Sequence, residues 1–270
     1  YWVEITNATG GSVNLGGYSL SNKPTATARY LFPNKELAPG ESMLVYLTGV
    51  EAPLEGENKA LSASFKGSSA GEMLYLFDPN RTCVDKVSDQ ALSSDVSYGR
   101  DEGRTGFFYY AESTPGKPNT TTAYLGLCQE PSFSDEGGVK AGDVNLTLTA
   151  PDGATIYYTT DSSTPTTASQ VYSGPLSISK NTVVRAIAVR DGYLTSTTAT
   201  RTFITDSTHT VRVVSLVTDD KYLFSESMGM YAKGPGYQET FPHGSPGKGA
   251  NFCMDWEYPV HVEVWEPDGT

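Results

Sequence analysis

The sequence predicts an all-β protein: two tandem immunoglobulin-like or fibronectin-III-like β-sandwiches followed by an incomplete third unit. Apolar runs of strand length recur with Gly, Pro and Asp or Asn breaks at regular spacing, the pattern of sandwiches. The breaks carry turn chemistry. Ala38-Pro39-Gly40-Glu41 and Asp78-Pro79-Asn80 place Pro where a φ of about −65° is wanted, and Gly or Asn where a left-handed residue is tolerated. The 270 residues also exceed one small sandwich, at roughly 100–200 residues per domain, so at least one linker is expected.

In order, the first block (1–122) offers strands at 13–20, Ser42–Leu47, 72–77, Cys83–Val87 and 106–110. Near Thr114-Pro115-Gly116-Lys117-Pro118-Asn119 the chain turns Pro-, Thr- and Gly-rich, and residues 123–130 are assigned as a linker. The second block (131–205) alternates at 144–148, turns at Pro151-Asp152-Gly153, returns at 155–159 and runs on through the β-branched 183–189, enough for a compact sandwich. A polar hinge, Thr205-Asp206-Ser207-Thr208, then opens the third block (206–270). Here 211–217 and 260–264 are the two credible strands, separated by a Gly/Pro stretch from 234 to 249 without periodicity. Val260, Val262 and Val264 share one face, His261, Glu263 and Trp265 the other; Pro267-Asp268-Gly269 is a hairpin turn with no returning strand, which makes this unit incomplete. Its apolar strand faces lack partner strands, so by itself it must fray, pack on the second sandwich or pair with another chain, and residues after about Thr210 are expected to be the least stable.

Composition excludes several function classes. A formal charge of −12 repels phosphate backbones and anionic lipid, so neither nucleic-acid binding nor a membrane-surface role is expected. No apolar run approaches the roughly 18 residues that span a bilayer, so no membrane insertion is expected. The chain begins in a strand, Tyr1-Trp2-Val3-Glu4-Ile5, without an initiator Met, and removal of an upstream segment such as a signal peptide is the expectation. Cys83, Cys128 and Cys253 are too few and too dispersed for a disulfide framework or a CxxC site and read as unpaired, partly buried thiols.

The chemistry-bearing candidates are weak. Gly244-Ser245-Pro246-Gly247-Lys248-Gly249 departs from a phosphate loop at both ends, because position 242 is Pro and Gly249 stands where Ser or Thr is required; a surface insertion is preferred. His261 and Glu263, with His209 or His243, have metal-ligand chemistry, but two polar residues on one strand face read first as solvent or interdomain contacts. Asp85, Asp89, Asp95, Asp101 and Glu102 offer the carboxylate pairs a glycosidase uses, yet an acidic chain produces such pairs by composition and small sandwiches lack a deep cleft. No nucleophile signature is present. Neither catalytic residues, cofactor nor metal are assigned. Adjacent aromatics at 106–110 and at Tyr157-Tyr158 point to opposite strand faces, so one of each pair is either an ordinary sheet-surface ring or a platform for a sugar; Tyr109, Tyr157 and Trp256 are the binding candidates.

Three resemblances sharpen this reading. Val3-Glu4-Ile5-Thr6-Asn7, Leu15-Gly16-Gly17-Tyr18-Ser19-Leu20, Leu37-Ala38-Pro39-Gly40-Glu41, Leu74-Tyr75-Leu76-Phe77-Asp78, Ser97-Tyr98-Gly99-Arg100 and the 114–119 string resemble the lamin-tail domain of bacterial extracellular proteins, with Phe107-Phe108 where that pattern has Trp. Ala154-Thr155-Ile156-Tyr157-Tyr158-Thr159-Thr160-Asp161, Thr164-Pro165-Thr166, Tyr172-Ser173-Gly174-Pro175-Leu176, Arg185-Ala186-Ile187-Ala188 and Asp191-Gly192-Tyr193 resemble the small sandwich appended to chitobiases and hexosaminidases, with Ser162 in place of the usual Gly. Val213-Val214-Ser215-Leu216-Val217-Thr218-Asp219, Gly229-Met230-Tyr231, Asp255-Trp256-Glu257-Tyr258-Pro259 and Val262-Glu263-Val264-Trp265 are similar to the start of the spore-coat-protein-H (CotH) kinase-like family, whose nucleotide-binding and catalytic residues are implied to lie beyond Thr270. Together they imply a non-catalytic modular segment of a secreted or cell-surface bacterial protein, monomeric, serving display, spacing or adhesion toward cell-wall or extracellular polysaccharide or a surface protein. Two alternatives stay open: targeting modules of an atypical extracytoplasmic protein kinase, and a carbohydrate-binding module. The lamin-tail motifs Ser97-Tyr98-Gly99-Arg100 and Pro115-Gly116 are expected to be structural, with Arg100 pairing with carboxylate or main-chain acceptors.

Overall fold

The computed structural model describes residues 1–50, 61–68, 71–87, 92, 95–101, 105–205, 209–237 and 249–266. Asp89, Glu102, His243, the 244–248 string, 206–208 of the hinge and Pro267-Asp268-Gly269 lie outside the described residues. The protein is all-β, with one short helix among the described residues, and divides into two compact units, Tyr1–Leu125 and Gly126–Thr270.

The first unit contains β1 (Trp2–Thr6), β2 (Val13–Asn14), β3 (Ser19–Ser21), β4 (Tyr30–Leu31), β5 (Glu36–Leu37), β6 (Ser42–Leu47), β7 (Leu61–Ala63), β8 (Leu74–Phe77), β9 (Cys83–Val87), β10 (Ser97–Arg100), β11 (Phe107–Tyr110) and β12 (Ala123–Tyr124). They form sheets ordered β1-β6-β7, β4-β3-β8-β9, β2-β5 and β10-β11-β12, antiparallel except for β6 against β7. Strand period decides the core. In β6 the nearly continuous apolar run Ser42–Leu47 turns Met43, Val45 and Leu47 inward and leaves Leu44 and Tyr46 half-buried, and the inward set packs with Leu20, Phe32, Leu37 and Phe65. The expected strand at 13–20 is two strands, because Gly17 sits at φ +85° with Pro79 against it, a conformation that ends a strand and reverses the chain.

The lamin-tail motifs are structural in the way expected of them. Asn7 is buried, its amide donating to Gly11 O and Leu37 O while Thr9 donates to its Oδ1, so a polar residue inside the sandwich is fully engaged. Arg100 donates to both carboxylate oxygens of Asp85 at 2.9 and 2.6 Å and lies 4.4 Å over the Phe107 ring, joining β10-β11 to β9. Asn119 of the 114–119 loop donates to Arg100 O, and Gly116 N donates to Glu4. Because the Arg100 pair is exposed, Arg100→Ala is expected to cost only about 1 kcal/mol from the pair and the ring contact together. A thermal melt checks this; an unchanged melt accompanied by a lost ligand would reassign the residue to binding.

The second unit contains β13 (Ser132–Phe133), β14 (Gly138–Val139), β15 (Val144–Leu146), β16 (Leu148–Thr149), β17 (Ala154–Thr159), β18 (Gln170–Val171), β19 (Leu176–Ile178), β20 (Thr182–Arg190), β21 (Ala199–Ile204), β22 (Val213–Val217), the helix α1 (Asp220–Phe224) and β23 (His261–Trp265). A five-stranded sheet, β14-β21-β20-β17-β18, carries the core residues Ile156, Tyr158, Val184, Ala186 and Phe203 on one face, and Leu146, Leu148 and Ile178 of the short pairs β15-β19 and β13-β16 complete that core. The strand expected at 144–148 breaks at Thr147, where Ser134 Oγ takes the backbone N–H and the chain changes partner from β19 to β13.

Ser162, which stands where the related pattern has Gly, has φ +69°. A side chain in the left-handed region costs roughly 1–2 kcal/mol, so Ser162→Gly is expected to stabilise this unit by about 1 kcal/mol. A higher denaturant midpoint at unchanged slope is the expected readout.

Candidate functional site

The aromatic candidates fall in different settings. Tyr109 is half-buried in the first unit while its neighbour Tyr110 is fully buried, the alternation the sequence predicts. Tyr109 meets Tyr98 at 4.7 Å between ring centroids, Tyr98 stacks on Phe107 at 5.4 Å with 21° between planes, and Arg100 covers Phe107. Burial, with a smaller effect of Tyr98, pushes the Tyr109 phenol up. The rings lean on one another, so the faces a sugar would stack on are largely taken by protein.

Tyr157 and Trp256 belong to the second unit. Tyr157 lies half-buried on the outer face of β17, paired with Val171 and Ile187, with Tyr158 turned into the core. Trp256 is half-buried and tilted against Tyr258, which stacks on Tyr222 at 4.5 Å and donates its hydroxyl to Met228 O. The freest rings are ones the sequence reading did not single out: Phe224 and Tyr231 stack at 5.9 Å and remain 64% and 76% exposed.

The most constructed surface is the seam between the ribbon β22-β23 and the outer face of the five-stranded sheet. Thr200 and Thr202 on that face would read as solvent residues, yet they are 2% and 7% exposed. Thr202 and Ser215 share a hydroxyl hydrogen bond at 2.8 Å, and Trp265, 9% exposed, lies against Gly138. Gly138 has φ +98°, and a Cβ there would stand 2.9 Å from the indole Nε1, so only Gly gives the ring its seat. The ribbon therefore packs on the second sandwich, one of the three outcomes open to it from sequence.

At the end of the seam Asp219 caps α1, accepting from Lys221 N at 3.0 Å. That amide chiefly holds the Asp219 carboxyl below the usual aspartate range, with the Thr164 hydroxyl and the Lys221 and Arg185 charges adding. Arg185 donates to Ser162 O and Thr164 Oγ1; burial pulls its guanidinium down and Asp219 opposes that. These groups, with Thr200, Lys221 and His261, line an open cleft of about 370 Å³. Asp219 is held by the Lys221 amide and the Thr164 hydroxyl, whereas Arg185 Nε and His261 Nε2 are buried there without a hydrogen-bond partner. His261 Nε2 is 3.8 Å from Glu263 Oε2, both on the inward side of β23, and among the described residues no three His, Cys, Asp or Glu side chains gather as metal ligands. Cys128 is buried, which raises its thiol pKa, while Cys83 and Cys253 are more open than the expected partly buried thiols.

With that geometry in view, the comparisons agree. Residues 1–91 match the family described as Lamin Tail Domain, and residues 144–203 match the one described as Fn3 associated. The first segment is thus similar to lamin tail domains and the second to Fn3-associated domains, each on a β-sandwich of its own. No curated protein and no solved structure matches the chain.

The helix α1 and the Asp219–Arg185 contact escaped the sequence reading. The signal available was Asp219 followed by Asp220, an N-cap with an acid in the first turn.

Proposed function

We infer that the chain is a structural segment of a secreted or cell-surface protein, built to display or space a neighbouring domain and to adhere, with the partition 1–122, 131–205 and 206–270 and the last block opening a CotH-like domain. The observation that carries this reading is that each sandwich closes its own core while aromatic and charged side chains are spent locally: Tyr98, Phe107, Tyr109 and Arg100 on one another in the first unit, Asp219 on the Lys221 amide and the Thr164 hydroxyl in the second. Such side chains stiffen a scaffold. The chain acts as a monomer, and its surroundings are extracellular polysaccharide or a surface protein.

Co-sedimentation with insoluble cell-wall and extracellular polysaccharides, together with calorimetry against Mg-ATP, tests the reading. The expected result is no saturable heat with ATP and no polysaccharide retention that depends on Tyr109, Tyr157 or Trp256. Retention abolished by Ala at one of these three positions would make the chain a carbohydrate-binding module, and saturable ATP binding would make it part of a catalytic unit. A second reading, targeting modules of an atypical extracytoplasmic kinase, draws on the outward-facing aliphatic side of β22-β23, which suits a chain that carries a further domain.

A further inference from the structure

The ribbon β22-β23 is amphipathic the wrong way round for a strand pair that belongs to the sandwich beneath it. Ser215, His261 and Glu263 face inward, toward the Thr-lined sheet, beside Val213, Val217 and Trp265, whereas Val214, Leu216, Val262 and Val264 make an all-aliphatic outer face and are 52%, 67%, 51% and 50% exposed. The register places Val214 opposite Val264 and Leu216 opposite Val262, so the four form one aliphatic patch. Among the described residues between 209 and 266, twelve large apolar side chains stand exposed and three apolar ones are buried, Val217, Ala250 and Trp265; the described residues of 1–205 leave seven exposed. A strand pair ordinarily turns its apolar face to its own core and its polar face to solvent or to a neighbouring body. By that rule the ribbon seats its mixed face, anchored by Val217 and Trp265, on the sandwich and leaves its wholly aliphatic face for something else.

We propose that β22-β23 is a wall shared by two domains, its mixed face seated on the Fn3-associated sandwich and its aliphatic face closing the core of a further folded layer of the same polypeptide. The proposal rests on the modular reading above. Area selects the occupant. With Val260 added, five exposed aliphatic side chains offer on the order of 400 Å² per copy, short of the roughly 800 Å² per side of a standard interface between free proteins. A covalently continuous layer loses no translational freedom on docking, so the same patch suffices for it. An anionic lipid surface is disfavoured by the chain's charge of −12 and by a face without a Lys or Arg. The consequence is mechanical: the second sandwich fixes the orientation of the layer beyond the ribbon through Trp265, Ser215 and Asp219, and the two turn together.

Carbene footprinting of the 270-residue chain and of the full gene product, read at Leu216 and Val262, tests the proposal. Labelling is expected to fall severalfold in the full product. The double substitution Leu216→Lys, Val262→Lys is expected to leave the melting temperature of the 270-residue chain unchanged and to lower that of the full product. Equal labelling in the two proteins, equal tolerance of the Lys pair, or a gene product that ends at Thr270 overturns the proposal. So does a 270-residue chain that sediments as a dimer and dissociates with the Lys pair, since the face would then belong to a second copy. Equal labelling or equal tolerance of the Lys pair sinks the shared wall alone, and polysaccharide and ATP binding test the modular reading separately; a gene product that ends at Thr270 or a dimer counts against both.

Discussion

Trp265→Ala is expected to cost the second unit about 3–5 kcal/mol, the range for truncating a large buried aromatic, and to free the ribbon without unfolding the sandwich. Two features make the loss local. The indole rests on Gly138 at the edge strand β14, away from the core residues Ile156, Val184 and Phe203, which lie on the other face of the sheet. The surface uncovered is polar, because Thr200 and Thr202 return to water as ordinary sheet-surface residues. Native-state hydrogen exchange is the measurement: amides of Val213–Val217 and His261–Trp265 should lose protection while those of β17 and β20 keep it. Gly138→Ala should act in the same direction at about 1–3 kcal/mol, since a methyl group 2.9 Å from the indole forces the ring off its seat. Joint loss of protection throughout the unit would show that ribbon and sandwich share one core, and the seam would have to be redrawn.

The strands were legible because period-2 patterning and turn residues are local. Ser42–Leu47 and Cys83–Val87 have the predicted bounds, and even the two broken strands fail at a backbone event, a left-handed Gly17 in one and a change of partner at Thr147 in the other. Alternation also sorted the ribbon, with Val262 and Val264 on one face and His261 and Glu263 on the other. What alternation cannot supply is which face meets a neighbour, since that depends on a surface more than fifty residues away in sequence. Thr200 and Thr202 illustrate the limit: their composition says solvent, and only the ribbon laid across them makes them buried. The surroundings of the aromatic candidates were beyond the sequence for a related reason. A strand pattern says that Tyr109 leaves the core, but its tilted contact with Tyr98 is a cross-strand contact set by the pairing of β10 with β11.

Asp219 carries the second large effect, because one carboxylate serves both the helix and the seam. Asp219→Ala is expected to cost about 1 kcal/mol for the lost N-cap of α1 and about 1 kcal/mol more for the Thr164 hydroxyl left without its acceptor. The pH dependence follows from the direction in which the folded state moves this group. The Lys221 amide, helped by Thr164, Lys221 and Arg185, depresses the folded pKa, so the stabilisation is complete above the unfolded aspartate value of about 3.9 and drains away as pH falls through the lower folded value. Wild-type ribbon protection should therefore decline on acidification from about pH 4 downward, ahead of the sandwich core. Asp219→Asn separates the two roles: an Asn side chain still accepts from Lys221 N and caps the helix, but it has no proton to gain and no charge for Arg185. Its ribbon should start weaker at neutral pH and lose the part of the acid-limb slope that Asp219 contributes. A wild-type slope in Asp219→Asn would show that Asp219 does not carry the acid sensitivity of the ribbon.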